Sequence, residues 1–123
     1  MPKICVLDYG LGNIKSLTNA IKNVGFNVDL MSDNNSVNYD IIFIPGVGSY
    51  SAASKILNKK KFKNFLNEKN GKANIFGICL GMQIFSSEGE EFGISEGLNF
   101  IPGKTVKIQD NKSSLILPFV GYK

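Results

Sequence analysis

The sequence predicts a doubly wound α/β domain, a mainly parallel sheet with helices on both faces. Three observations carry that prediction. Short, nearly continuous apolar runs recur at residues 3–8, 39–44 and 74–78, as expected of parallel strands buried on both faces. Segments with a helical apolar period lie between the runs, at the spacing of right-handed βαβ units. Glycine-rich turns follow the strands, at the sheet edge where open α/β folds bind their ligands.

Taken in order, Lys3-Ile4-Cys5-Val6-Leu7-Asp8 reads as a central strand. Asn13 is placed to cap the next helix, whose Ile14, Leu17, Ala20, Ile21 and Val24 share one face, and Gly25 is placed to end it. Residues 27–31 alternate and predict a second strand nearer the sheet edge. A polar loop over 32–38 leads to the third strand, 39–44. Helical patterns over 51–57 and 59–69 place Ile56, Leu57, Phe62, Phe65 and Leu66 on an apolar face. Lys59, Lys60, Lys61 and Lys63 form a charge run, read as a solvated helix face ahead of a patch for an acidic partner. Gly71 ends this helix and residues 74–78 form the fourth strand. Val6, Ile42, Phe43, Ile75 and Phe76 are the predicted core of the sheet. A short helix is expected over 80–87, then an exposed acidic loop at Glu88-Gly89-Glu90-Glu91. Alternation over 104–108 predicts a β-arm turning at Asp110-Asn111-Lys112 and returning over 115–117.

Composition narrows the function. A chain of 123 residues, 43% hydrophobic, suffices for one domain with one core, residues 1–123. No apolar run approaches the length of a membrane span, and Met1-Pro2-Lys3 has no signal-peptide pattern, so a cytoplasmic location is expected. Cys5 and Cys79 are then reduced thiols. The net charge of +4 is built on Lys without a single Arg, which argues against a nucleic-acid reader, since those lean on bidentate Arg contacts. There is no His, and two distant Cys make a poor metal site, so no metal is expected. Gly10-Leu11-Gly12 resembles part of a dinucleotide fingerprint, but Lys15 stands where the third Gly belongs, so no nucleotide cofactor is expected.

The chemistry concentrates at Gly77-Ile78-Cys79-Leu80-Gly81-Met82-Gln83. A strand running into Gly-x-Cys-x-Gly and then a helix has the form of a nucleophile elbow with Cys in place of Ser. Such a turn holds the nucleophile in strained backbone and lifts its side chain clear of the sheet. A Cys there faces unpaired N–H groups at a helix start, the setting of reactive thiols. A lone Cys after a strand is more often a small core residue, but a buried strand end has no need of both flanking glycines. Pro45-Gly46-Val47-Gly48 ends the third strand. Alone it is an ordinary tight turn; beside an elbow it becomes a candidate for half of an oxyanion hole.

The elbow motif resembles that of the class I, triad-type glutamine amidotransferases. Further segments narrow the resemblance to the glutaminase subunits of imidazole glycerol phosphate synthases, from histidine biosynthesis. They are Asp8-Tyr9-Gly10-Leu11-Gly12-Asn13, Ile44-Pro45-Gly46-Val47-Gly48, Glu96-Gly97-Leu98, Ile101-Pro102-Gly103 and Leu117-Pro118-Phe119-Val120-Gly121-Tyr122. The resemblance spans this chain but only the N-terminal part of that family. It implies a flavodoxin-like fold, incomplete on its C-terminal side, and hydrolysis of glutamine to glutamate and ammonia. The ammonia passes to a (β/α)8-barrel synthase subunit bound as a heterodimer. The implied roles are nucleophile for Cys79, oxyanion donors for Val47, Gly48 and Leu80, substrate binding for Gly46 and Gln83, and partner contact for Asn13 and Tyr122.

Two departures stand out. In that family a His oriented by a Glu supplies the base and acid, and no residue here matches either, so the chain is expected to stop short of them and to be inactive alone. The closing Pro118-Phe119-Val120-Gly121-Tyr122-Lys123 replaces the usual Pro-His-Met-Gly-Trp-Asn. An amidotransferase subunit of surface-sugar biosynthesis would account for that change. A truncated module that only binds a synthase is the non-enzymatic alternative. Cys-elbow chaperones and peptidases usually carry His after the Cys, where this chain has Leu80.

Overall fold

A computed structural model describes residues 1–32 and 37–108. Four parallel strands form the main sheet: β1 (Ile4–Leu7), β2 (Val28–Met31), β3 (Ile41–Ile44) and β4 (Asn74–Gly77), in the order β2-β1-β3-β4. Helix α1 (Ile14–Asn23) lies on one face; α2 (Tyr50–Leu57) and α3 (Lys60–Lys69) lie on the other. The predicted doubly wound architecture is observed, with β2 at an edge.

Strand alternation divides the core. Cys5, Leu7, Ile42 and Ile44 point to the α2–α3 face and meet Ala53, Leu57, Phe65 and Leu66. Ile4 and Val6 point to α1 and meet Ile21, with Ile14, Leu17 and Phe43 packed around them. Each such large apolar side chain, fully buried, contributes roughly 1.5–3 kcal/mol. Asn13 caps α1 as expected, its Oδ1 accepting from the Ser16 N–H at 3.2 Å. Gly25 ends the helix, its N–H bonding the Lys22 carbonyl and that of Phe26 the Ile21 carbonyl.

Several expectations need correction. Phe76 is 49% exposed, and Phe43 and Ile75 are only partly buried. Phe76 stacks on Phe43 with centroids 5.5 Å apart, on the α1 face. A helix about 10 Å across cannot screen four strands set about 4.8 Å apart, and α1 sits over the β2–β1 side. Val24 and Ala20 are exposed for the related reason that only Ile14, Leu17 and Ile21 reach the sheet. The elbow helix α4 spans Leu80–Gln83, not 80–87. The next carbonyls are taken from afar: Ile84 accepts from the Leu98 N–H at 2.7 Å and Phe85 from the Ile101 N–H at 2.9 Å.

The acidic stretch is no loop. Glu88–Glu90 is strand β5, antiparallel to β6 (Ile94–Glu96) and parallel to β7 (Lys104–Thr105) in a second small sheet. Gly89 is buried there because the Tyr50 ring packs where a Cβ would stand. The β-arm is accordingly shorter than expected at residues 106–108, and its turn and return strand lie outside the described residues. Among the described residues no helix is long and apolar enough to cross a membrane.

Candidate active site

The polypeptide turns sharply at Cys79. Its φ of 54° and ψ of −119° lie where L-residues are rarely found, at a cost of roughly 1–3 kcal/mol. The surroundings hold it there. On the strand side the Ile78 N–H bonds the Ile44 carbonyl at 3.0 Å. On the helix side the Cys79 carbonyl accepts from the Met82 and Gln83 N–H groups at 2.9 and 3.1 Å. The thiol is exposed at the start of α4.

The flanking glycines are needed for close approach. A Cβ on Gly77 would stand 2.6 Å from the Gly81 carbonyl oxygen and from Met82 Cα. One on Gly81 would overlap the Ile44 carbonyl. The elbow therefore lies directly against the end of β3. Gly46 continues that contact: its own Cβ would come within 2.9 Å of Leu80 Cβ and of the Gly81 nitrogen.

From this anchored end the loop turns outward. Pro45 and Gly46 are buried, while Val47 and Gly48 are exposed. Gly48 has a φ of +109° with open space around a would-be Cβ, so conformation and not room selects glycine there. Ser49 then caps α2, its Oγ accepting from the Ala52 N–H at 3.2 Å. Gly46, Leu80 and Cys79 are thus brought together, with Val47 and Gly48 leading off from the same point.

Gln83 is exposed one helical turn beyond Cys79. Its carbonyl accepts from Ser86 Oγ at 2.8 Å and Thr105 Oγ1 at 3.1 Å, which ties α4 to β7. Gln83 also lines a cavity of about 550 Å³ with Glu90, Glu91 and Thr105. From the sequence Glu91 belongs to an exposed acidic loop. In the structure its carboxylate accepts from the Tyr50 N–H at 2.9 Å at the start of α2, beside that cavity. No local pattern announces this, because the partner is 41 residues away. Asn13 lies exposed at the α1 cap, and Tyr122 lies outside the described residues.

Two buried groups weaken the fold at alkaline pH. Burial pushes the Cys5 thiol from about 9 up to about 12, the Asp29 charge adding to it and Lys69 opposing. Burial pushes the Tyr9 phenol from about 10 up to about 12. The unfolded chain loses these protons from about pH 9 upward and the folded chain only near pH 12. The unfolded state then holds fewer protons, so stability is intact below about pH 9 and falls between about 9 and 12. Denaturation midpoints should be level just below pH 9 and drop above it; a midpoint unchanged through that window contradicts the burial of both groups.

Comparison with known proteins adds three findings. A protein-family model described as "Glutamine amidotransferase class-I" matches residues 5–117. Proteins named imidazole glycerol phosphate synthase subunit HisH are similar along nearly the whole chain. That of Sulfolobus acidocaldarius is 39% identical over 117 residues, covering 95% of this chain and 57% of the relative. That of Sulfurisphaera tokodaii is 41% identical over 121 residues, covering 98% and 59%. The chain therefore spans a little under three fifths of the length of these relatives. A solved structure of PurLQS from Thermotoga maritima superimposes with a TM-score of 0.57 at 24% identity, over 68% of this chain and 42% of that one, a likeness of fold.

Proposed function

We propose a function from one premise: this chain belongs to the class-I glutamine amidotransferase family. The reading is a glutaminase half-site. Cys79 sulfur attacks the side-chain amide carbon of glutamine. The carbonyl electrons move onto oxygen, and the oxyanion is held by the Leu80 N–H and an N–H of the Val47-Gly48 loop. The proton lost by the Cys79 thiol passes through water to the leaving nitrogen, the oxyanion electrons re-form the carbonyl as the C–N bond breaks, ammonia departs, and a thioester remains on Cys79. Water then releases glutamate. Gly46 and Gln83 hold the substrate beside the sulfur.

One observation carries the reading. An exposed Cys in strained backbone starts a helix, against which Gly46 at the base of the Val47-Gly48 loop is packed. A core cysteine has no use for that strain, and Cys5 shows the contrast, being fully buried in regular strand. The His and Glu that complete such a site in the family have no counterpart in this sequence, which contains no His.

The relatives named as subunits of imidazole glycerol phosphate synthase support a place in histidine biosynthesis. There the ammonia is handed to a (β/α)8-barrel synthase subunit that makes imidazole glycerol phosphate and AICAR. The two subunits form a cytoplasmic heterodimer, with Asn13 and Tyr122 at the contact. Residues 1–123 belong to a single glutamine amidotransferase domain of this assembly, without its His and Glu and without metal or cofactor.

Iodoacetamide should label Cys79 at least about 100-fold faster than Cys5, and glutamine, but not asparagine, should slow labelling at Cys79. Equal labelling of the two thiols, or no protection by glutamine, rules the reading out.

A further inference from the structure

We infer that Tyr9 is a positioning residue for the oxyanion loop: its hydroxyl pins the Pro45 carbonyl, so that only the Val47-Gly48 end of the loop is free to turn. The inference rests on the glutaminase reading above and adds a residue to it.

The geometry is specific. Tyr9 follows β1, and its hydroxyl donates to the Pro45 carbonyl at 2.6 Å in a buried setting. The side chain is only 5% exposed, so water competes poorly for that carbonyl. The same hydroxyl lies 2.6 Å from where a Cβ on Gly46 would stand, with Leu80 Cβ and the Gly81 nitrogen close by. Gly46 is therefore held between the Tyr9 hydroxyl and the elbow. From the β1–α1 turn, a Cβ on Gly12 would come within 3.2 Å of the Pro45 ring and 3.4 Å of the Gly46 nitrogen. Tyr9 and Gly12 together close on the Pro45–Gly46 peptide.

The far end of the loop is held too. Ser49 Oγ caps α2, and the Tyr50 N–H is bonded to Glu91. Between these anchors only Val47 and Gly48 are exposed, and Gly48 has the positive φ that lets a peptide rotate cheaply. An oxyanion donor acts only if it lies close to where the charge develops. A base that shifted would spread the donor over many positions. Burial pushes the Tyr9 phenol up to about 12, so the donated proton stays in place over the working pH range.

A Tyr9 that merely filled the core would affect stability and nothing else. The test uses two reagents on the 123-residue chain. One is a glutamine analogue with a chloromethyl ketone in place of the side-chain amide; its carbonyl oxygen occupies the oxyanion position while Cys79 sulfur displaces chloride. The other is iodoacetamide, which is too small to be oriented by the rest of a glutamine side chain. In Tyr9→Phe, labelling of Cys79 by the chloroketone should slow about tenfold, less than the roughly 10²–10³ lost with a donor outright. The iodoacetamide rate should stay within about twofold.

Equal slowing with both reagents, or with neither, overturns the assignment. If Tyr9→Phe does not fold, Tyr9→Met gives the same reading, since it too removes the hydroxyl while filling the buried space with an adaptable apolar side chain. It too should slow the chloroketone selectively, and an unchanged ratio overturns the assignment. A wild-type chain that reacts no faster with the glutamine chloroketone than with its alanine counterpart overturns the glutaminase reading itself. Wild-type selectivity that Tyr9→Phe leaves intact overturns only the role of Tyr9.

Discussion

The 123-residue chain should release ammonia from glutamine at less than about one hundredth of the rate of an amidotransferase with a complete triad. General acid–base assistance is worth roughly 10²–10⁴-fold, and triad members act as a unit. No His is present to take the thiol proton or protonate the leaving nitrogen. Among the described residues the carboxylates that follow the elbow are otherwise engaged, Glu88 and Glu90 with Lys104 at 3.1 and 3.8 Å, Glu91 with the Tyr50 N–H and Glu96 with Lys63 at 3.5 Å. What remains is positioning: Cys79, the loop beside it and the cavity by Gln83. Slow formation of a thioester on Cys79 without steady release is the expected signature, read by intact mass after acid quench. Cys79→Ala should abolish it. Joining the chain to a segment that supplies His and Glu should restore turnover. Ammonia release by the 123-residue chain at an ordinary enzyme rate, lost in Cys79→Ala, would show that another residue serves as base.

Gly81→Ala should cost more stability than any other single methyl added at the elbow, more than about 3 kcal/mol. Its Cβ would overlap the Ile44 carbonyl and stand 3.0 Å from the Pro45 carbonyl oxygen. These are backbone atoms at the end of a central strand, where overpacking costs typically about 1–3 kcal/mol even when side chains can yield. Relief requires β3 and α4 to part, which breaks the Ile78–Ile44 hydrogen bond and disturbs the strained turn at Cys79. Gly25→Ala provides the control. That glycine has a positive φ, +97°, which Gly81 does not, and nothing stands near its would-be Cβ, so the loss should be only the roughly 1–2 kcal/mol of left-handed backbone. Chemical denaturation of both variants measures the difference. Equal losses would mean that the contact between elbow and strand is soft.

The strands of the main sheet, the cap at Asn13 and the elbow are legible in the residues alone. In each case the cause is local. Apolar runs such as Ile41-Ile42-Phe43-Ile44 can be satisfied only by burial on both faces, and Gly77-x-Cys79-x-Gly81 leaves room for a turn that most residue pairs would block.

Tertiary structure alone decided the rest. Phe76 carries the same strand signal as Val6, yet one is half exposed and the other fully buried, because a period reports which face is apolar and not whether a helix lies over it. Glu88-Gly89-Glu90 is polar enough to read as loop, and becomes strand because the Tyr50 ring and the partners β6 and β7 receive it. Lys69 continues a helix rich in solvated lysines but is buried, its ammonium bonding Asn38 at 3.1 Å and facing Glu68 at 3.6 Å. Tyr9 sits in a turn that suggests phosphate binding and instead reaches Pro45, 36 residues on. These contacts depend on which elements meet in space, and a hydrogen bond across such a separation leaves no periodic trace along the chain.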